Sequence, residues 1–245
     1  MLRLSFTKLS LYDYCPWAYR FRYVEKAPTK FRPRLLLGAN VHSVIDAFLV
    51  RVRDGLSTGW AEMERIFEER WAETFVLDTR ANAVLKEKAF GLIRGFWDAN
   101  AADFGRPALI EERFVLPIED VRVEGIVDRV EDLGAGRAEV IDYKSGRAPQ
   151  GNPAEGNLQL LIYALACRHV WGLEPKLTSL YFLADNRKLS APVAEDGLRD
   201  VQEHILSRGK AITREEFTPT TGPHCRDCDY FDMCEFGRAW AKANG

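Results

Sequence analysis

The sequence lacks several features that would place the protein outside the cell interior. Its 245 residues contain no apolar run near the ~20 residues that a membrane-spanning helix needs. The first residues, Met-Leu-Arg-Leu-Ser-Phe-Thr-Lys, lack the apolar core of a secretion signal. Internal repeats and low-complexity segments are also absent from the sequence. We therefore expect a cytoplasmic protein with no membrane partner.

The chain also has little net charge, since 34 Lys and Arg residues nearly balance 36 Asp and Glu residues. This balance does not exclude a nucleic-acid partner, because only the local charge at the contact counts. Residues 17–34 interleave aromatic side chains with six cations and one acid. Cations neutralise phosphates and aromatic rings stack on bases. Two interpretations stay open for this stretch: a nucleic-acid surface, or a helix whose aromatic side chains belong to the core.

Cysteine is too scarce and too unevenly spaced for a disulfide framework. There are five cysteines, and three of them lie within residues 225–234 as C-x2-C-x5-C. In a reducing compartment this spacing favours zinc or an iron–sulfur cluster over disulfides. A fourth ligand is then required, and Cys15 is the first candidate, with Cys167 and His224 as alternatives.

The strongest pattern is a predicted β-hairpin formed by residues 121–131 and 138–144, joined by a link with two glycines. Asp142 and Lys144 are two residues apart, so their side chains leave the same face of the strand. With Asp128 on the partner strand, this arrangement suits a Mg²⁺ or Mn²⁺ ion beside a phosphodiester. A salt-bridged surface hairpin is the alternative, because Asp-x-Lys alone is a weak signal.

Further residues extend this predicted metal site. The backbone carbonyl of Tyr143 and the side chain of His42 are candidate ligands, and Glu111 or Glu112 is expected to face the same site. His42 lies in a predicted helix with Asn40 as its N-cap. The remaining predicted elements are helices at 4–14 (capped by Ser5 or Thr7), 60–103, 156–170 and 194–213, and strands at 109–117 and 178–184.

Six short motifs follow one another along the chain. They are Ser5-Phe-Thr-Lys-Leu with Tyr14-Cys-Pro16, Gly38-Ala-Asn-Val-His42, Gly125-Ile-Val-Asp128, Ile141-Asp-Tyr-Lys144, Gln159-Leu-Leu-Ile-Tyr163 and Cys225-x2-Cys228-x5-Cys234. In this order they resemble the RecB-like branch of the PD-(D/E)XK nuclease superfamily. The resemblance is closest to members with a four-cysteine iron–sulfur cluster, such as the CRISPR-associated adaptation nucleases and the AddB nuclease domain.

The resemblance implies an α/β fold with a restriction-endonuclease-like core, in which helices flank a central mixed sheet. It implies one nuclease domain over residues 1–245, with a helical insertion at about 55–105 and a cysteine-ligated cluster that clasps the termini. The implied metal ligands are His42, Asp128, Asp142 and the carbonyl of Tyr143. Lys144 is the implied catalytic lysine, with Gln159 and Tyr163 positioning that lysine or DNA. Cys15, Cys225, Cys228 and Cys234 are implied to hold a structural 4Fe-4S cluster.

The expected function is metal-dependent hydrolysis of DNA, with exonuclease action on single strands or ends. No P-loop G-x4-G-K-[ST] is present, so unwinding would need a partner such as a helicase, and a CRISPR integrase is another candidate partner. Two other classes stay open. One is a non-catalytic DNA-binding subunit of a repair or CRISPR adaptation complex. The other is a zinc-stapled RNA-binding module.

Overall fold

The chain forms two compact units, which are described separately. The structure, a computed structural model, describes residues 1–30, 32–72 and 79–244. Unit 1 comprises Met1–Phe31, Pro117–Gly125 and Arg199–Gly245, and unit 2 comprises Arg32–Leu116 and Ile126–Leu198.

Unit 2 contains a mixed β-sheet that is centred on the predicted hairpin. Strand β3 pairs antiparallel with β4, with Arg129 opposite Ile141. Strand β4 then pairs parallel with β5, and β5 pairs antiparallel with β6. Strand β2 pairs with β3. The strands are β2 (Pro107–Ile118, in unit 2 as far as Leu116), β3 (Val121–Gly134, in unit 2 from Ile126), β4 (Arg137–Lys144), β5 (Glu174–Phe182) and β6 (Arg187–Pro192).

The turn of the hairpin explains why β3 and β4 pair in this register. Gly134, Ala135 and Gly136 all adopt positive φ, a conformation that costs glycine almost nothing. The Asp132 side chain accepts a hydrogen bond from the Gly134 amide at 2.7 Å. Because strand side chains alternate between faces, this register decides which residues of β3 and β4 meet on the same face.

Four helices of unit 2 pack with this sheet: α3 (Pro33–Arg53), α4 (Trp60–Ala72), α5 (Thr79–Asn100) and α6 (Leu158–Val170). Side chains of α3, α4 and α5 share one apolar core with Ile141 and Tyr143 of β4. The prediction of an α/β fold with helices flanking a mixed sheet is thus confirmed. Helices α4 and α5 occupy most of the predicted helical region; its residues 73–78 lie outside the described part of the chain.

The predicted start of α3 was wrong. The helix begins at Pro33, because proline has a φ suited to the first helical turn and needs no amide partner there. Asn40 therefore lies inside the helix, where its Nδ2 donates to the carbonyl of Arg70 at 3.2 Å. Residues Leu35–Arg53 also have the length and mean hydropathy, 1.5, that would allow a helix to cross a membrane. Its Val41, Ile45 and Phe48 are fully buried in the core of unit 2, as in the core helix of a globular protein.

Unit 1 combines segments from the two ends of the chain. Strand β1 (Leu2–Leu4) pairs parallel with Val121–Val123 at the start of β3. Helix α1 (Phe6–Tyr14) begins as predicted, with Ser5 Oγ accepting from the Lys8 amide at 3.3 Å. The other helical segments are α2 (Pro16–Tyr19), which continues as a π-helix over Arg20–Val24, α7 (Glu195–Thr213, in unit 1 from Arg199), a 3₁₀-helix (Pro223–Asp227) and α8 (Glu235–Ala243).

Candidate active site

Asp128 on β3 is held between helix α3 and strand β4, all within unit 2. Its Oδ2 accepts a hydrogen bond from the Tyr143 amide at 2.9 Å. The same oxygen lies 3.4 Å from Nδ1 of His42. The hairpin and α3 thus bring three of the predicted site residues into direct contact, although they are up to 101 positions apart in the chain.

A second set of contacts continues from Asp142. Its carboxylate is almost fully buried, and Oδ2 lies 2.7 Å from Nζ of Lys144, an ion pair without the angles of a hydrogen bond. Lys144 Nζ donates to Oε1 of Gln159 at 3.0 Å, and Gln159 Nε2 donates to the Tyr163 hydroxyl at 2.8 Å. Gln159 and Tyr163 lie one turn apart on α6, as the sequence predicted. The structure therefore links Asp142, Lys144, Gln159 and Tyr163 in one continuous chain of contacts.

Burial and crowded negative charge dominate the electrostatics of the site. Burial raises the pKa of Asp128, and the neighbouring Asp142 raises it further. His42, the Tyr143 amide and Lys144 oppose this rise. Two carboxylates of this kind repel each other when both are ionised, so a cation between them would be stabilising. Burial also raises the pKa of Tyr163, so its hydroxyl remains protonated at neutral pH.

The sequence analysis missed Asp46, one helical turn after His42 on α3. Asp46 is 6% exposed, and its Oδ1 has no hydrogen-bond partner among the described residues. Burial, followed by the charges of Asp128 and Glu111, raises the pKa of Asp46 to about 8. The spacing of four residues from His42 was the available signal, since i and i+4 share one helix face. Of the two residues of which one was expected to face the site, Glu111 and Glu112, Glu111 is close enough to Asp46 for its charge to act on that carboxyl, and its φ is 47°.

The donor set fits a divalent ion in its chemistry. Carboxylate oxygens suit Mg²⁺ and Mn²⁺, and imidazole is also a ligand for first-row metals. The buried Oδ2 of Asp142 accepts no hydrogen bond and is thus free to bind a cation in place of its contact with Lys144. In their present positions, however, no three His, Cys, Asp or Glu side chains of the described ranges are arranged to hold a metal ion.

The four predicted cluster cysteines line one cavity in unit 1. Cys15, Cys225, Cys228 and Cys234 share this cavity with the aromatic side chains of Trp17 and Phe21, among others. None of the five cysteines of the chain forms a disulfide. The Gly237 amide donates to Cys234 Sγ at 3.4 Å. Four reduced thiols around one cavity have the chemistry of a metal or cluster site. Among the described residues, however, no three of them are placed close enough together to hold a metal ion.

The two alternative fourth ligands differ in their surroundings. Cys167 is fully buried in α6 of unit 2, and burial raises the pKa of its thiol to about 12. That thiol therefore keeps its proton at neutral pH. His224 lines the same cavity as the four cysteines, but its Nε2 lies 3.1 Å from the carbonyl of Thr220 and its ring packs edge-on against Tyr14.

Some aromatic side chains of the aromatic and basic stretch, residues 17–34, belong to the core of unit 1. Tyr19 and Phe21 are buried in unit 1, so these rings are not available to bases. Arg20 stacks over Trp17 at 4.5 Å from the ring centroid and forms an ion pair with Glu25 at 2.8 Å. The core interpretation therefore holds for the buried rings, and the exposed cations keep the charge that a phosphate backbone would require.

Comparisons with known proteins agree with this geometry. Gene 69 protein of Mycobacterium phage L5 is 25% identical over 281 aligned positions, covering 94% of this chain and 95% of the phage protein. A crystal structure from Eubacterium rectale, named as a "putative exonuclease", has the same fold with a TM-score of 0.57 and 12% identity, over 97% of this chain and 87% of that one. The sequence profile of the PD-(D/E)XK nuclease superfamily matches residues 3–235, which include every candidate site residue. The chain therefore belongs to the PD-(D/E)XK nuclease superfamily.

Proposed function

We propose that the protein is a divalent-metal-dependent DNA nuclease that hydrolyses phosphodiester bonds of the DNA backbone. The observation that carries this proposal is the continuous set of contacts that joins the two acids and the lysine to the helix residues around them. Asp142 pairs with Lys144 at 2.7 Å, and Lys144 donates to Gln159 at 3.0 Å. A salt bridge on a hairpin surface would not require a carboxylate as buried as that of Asp142, which is 2% exposed.

Lys144 is proposed as the catalytic residue that acts on water. Its side chain is 38% exposed, so its ammonium group can reach solvent while Asp142 and Gln159 restrict its direction. A lysine in this position orients the attacking water and, as an ammonium group, offsets the charge that develops on the phosphate; only its neutral amine form takes up the proton of the water. The water oxygen forms a new bond to phosphorus while one P–O bond of the backbone breaks, and the departing oxygen takes up a proton, so the phosphate stays on one product end. Gln159 and Tyr163 act by fixing the position of Lys144.

His42, Asp128, Asp142 and the carbonyl of Tyr143 are proposed to hold the metal ion. Bound Mg²⁺ or Mn²⁺ would lower the pKa of a water ligand and screen the phosphate charge. The Tyr143 amide keeps Asp128 Oδ2 close to β4, so the two acids are presented from adjacent strands. Superfamily membership supports this assignment, because nucleases of this kind generally use divalent ions.

The finer parts of the proposal concern substrate and context. Exonuclease action on single-stranded DNA or DNA ends, by one nuclease domain over residues 1–245, is the proposed activity. Cleavage of a duplex would need a partner that separates the strands, such as a helicase, and a CRISPR integrase is the alternative partner. Unpaired cysteines are consistent with the proposed cytoplasmic location.

The four cysteines that line the cavity of unit 1 are proposed to hold a structural 4Fe-4S cluster. Its support is the shared cavity, the absence of disulfides among all five cysteines, and the burial of the surrounding apolar side chains. Zinc is the alternative occupant. Iron and acid-labile sulfide analysis of anaerobically purified protein distinguishes the two, because zinc protein contains neither.

The activity test uses end-labelled single-stranded DNA with Mn²⁺ under anaerobic conditions. We expect native protein to shorten the DNA, and Asp142→Asn and Lys144→Ala to lose cleavage by roughly 10²–10⁴-fold while remaining folded. Lys188→Ala is the matched control, because Lys188 also pairs with a buried carboxylate, that of Glu139, away from the proposed reacting groups.

The outcomes separate the candidate functions. Cleavage that is lost in both site variants and kept in the control assigns the reaction to the hairpin. Normal turnover by Lys144→Ala would contradict the proposed mechanism. Absence of cleavage by native protein on several substrates, with the cluster intact and DNA still bound, would favour the DNA-binding subunit instead.

A further inference from the structure

Arg129 lies next to Asp128 on β3 and points to the opposite face of the strand. Its side chain is 7% exposed, which is unusual for arginine because an unpaired buried guanidinium is costly. On the paired strand β4 it lies opposite Ile141, two residues before Tyr143. The sequence analysis assigned no role to Arg129.

Each nitrogen of the buried guanidinium donates at least one hydrogen bond. Nε donates to Glu131 Oε2 at 2.8 Å, and Nη2 donates to the carbonyl of Phe104 at 2.6 Å and also to Glu131. Nη1 donates to the hydroxyl of Tyr143 at 3.2 Å. A planar guanidinium with its donors committed in three directions has little freedom to rotate, so the Tyr143 hydroxyl is held by a rigid group.

The segment before β2 closes tightly over this network. The Arg106 amide donates to Glu131 Oε1. Gly105 has a φ of +76°, and a Cβ at this position would collide with Glu131 and with Nη2 of Arg129, at 2.7 Å from the latter. The close approach therefore requires glycine, for steric reasons as well as for its backbone conformation. Only a residue without a side chain lets the loop cover the ion pair.

Tyr143 connects this network to the proposed active site. It stands between Asp142 and Lys144 in the chain, and its ring is almost fully buried. Its amide donates to Asp128 Oδ2 at 2.9 Å, while its hydroxyl accepts from Arg129. The ring also packs edge-on against His42, with 6.1 Å between centroids. Tyr143 is thus fixed at its backbone and at the far end of its side chain.

We propose that Arg129 is a positioning residue, which acts through the Tyr143 hydroxyl to set the placement of Asp142 and Lys144 relative to Asp128. This inference rests on the proposed nuclease function and goes beyond it, because neither Arg129 nor the Tyr143 hydroxyl touches the reacting groups. A displacement of about 1 Å at a catalytic group can cost on the order of 10²-fold in rate. Loss of the anchor should therefore lower turnover and metal affinity more than it lowers the affinity for DNA.

The test compares Tyr143→Phe with Tyr181→Phe. Tyr181 is buried in the same core, its hydroxyl accepts from Asn100 at 2.9 Å, and its ring lies 5.7 Å from that of Tyr143. Both variants remove one buried hydroxyl with one hydrogen bond, but only Tyr143 lies between Asp142 and Lys144. For each variant, the quantities to be measured are kcat and KM on single-stranded DNA, the affinity for Mn²⁺ by electron paramagnetic resonance, and the melting temperature.

We expect the two variants to melt within a few degrees of each other, as matched losses of a buried hydrogen bond should. Tyr143→Phe should lower kcat by roughly 10- to 100-fold with little change in KM, and should weaken Mn²⁺ binding, whereas Tyr181→Phe should change neither. Arg129→Lys should lower kcat in native protein but add little in the Tyr143→Phe background, because the connection is already broken.

Equal kcat and equal Mn²⁺ affinity for the two phenylalanine variants would overturn the inference, and so would full additivity of Arg129→Lys with Tyr143→Phe. If native protein binds Mn²⁺ but cleaves no DNA, the proposed function fails on its own, and the difference in Mn²⁺ affinity between the two variants still decides the positioning role. Native protein that neither binds Mn²⁺ nor cleaves DNA would overturn both.

Discussion

Replacement of Asp46 by asparagine should stabilise the metal-free protein, and more so as the pH rises. The Asp46 pKa rises from 3.8 to about 8 on folding, chiefly because of burial. Between these two values the unfolded state gives up the proton while the folded state keeps it. The folded protein then binds more protons, so its stability falls as the pH increases through this range. Asparagine has nearly the same shape as a protonated aspartate, but it does not titrate and so adds no pH dependence to the stability.

The size of the effect follows from the pKa difference. One group contributes at most about 1.4 kcal/mol per pH unit, so the penalty accumulated from the unfolded pKa to pH 7 is about 4 kcal/mol. A domain is typically stable by about 5–15 kcal/mol, so the change should be easy to measure. The advantage of Asp46→Asn should be small near pH 4 and largest near pH 8.

Urea unfolding in EDTA at four pH values between 5 and 8 measures this difference, and Asp98→Asn serves as the control. Asp98 is exposed on α5, where it pairs with Arg94, so Asp98→Asn makes the same chemical change at the surface. The reasoning would be refuted if the free energies of unfolding of Asp46→Asn and native protein changed in parallel over this pH range. Saturating Mn²⁺ should reduce the advantage of the variant if the ion lies close enough to favour ionised Asp46.

Two further predictions concern unit 1. Cys15→Ala should lower the iron content and the melting temperature. Cys167→Ala is the control and should leave the iron content unchanged, because burial keeps the Cys167 thiol protonated. Equal iron content in both variants would exclude Cys15 as a ligand. Ser5→Ala should cost about 1 kcal/mol in urea unfolding, because the Lys8 amide at the start of α1 loses its acceptor. Ser5→Asp, which keeps an acceptor, should retain most of the stability, and equal loss in both would argue against the cap.

The hairpin and the residues it brings together were predictable from sequence because strand alternation and a glycine turn have few solutions. Once Gly134 and Gly136 fix the turn, the register follows, and with it the contact between Asp128 and the Tyr143 amide. The contact of Lys144 with Gln159 was anticipated only through the family resemblance, which implies that Gln159 and Tyr163 position the lysine or DNA.

Other features depended on information that the sequence pattern does not carry. Helix α3 began seven residues before the predicted cap, because Pro33 starts a helix as readily as Asn40 does. Alternation places Arg129 away from Asp128, but it does not say that Phe104 and Glu131 will be there to pair with it. The short strands β1 and β6 were not predicted either, since three to six residues carry little periodicity.

The cavity lined by four cysteines also has a consequence for the synthesis of the chain. Cys15 is made early, but its three companions follow only from residue 225 onward. At a translation rate of about 5–20 residues per second, roughly 10–40 s pass between the synthesis of Cys15 and that of Cys225. Both segments of unit 2 are completed within that interval, whereas the last segment of unit 1 begins only at Arg199. An ion or cluster held by the four thiols, as proposed above, would therefore be inserted late, after both segments of unit 2 have been made.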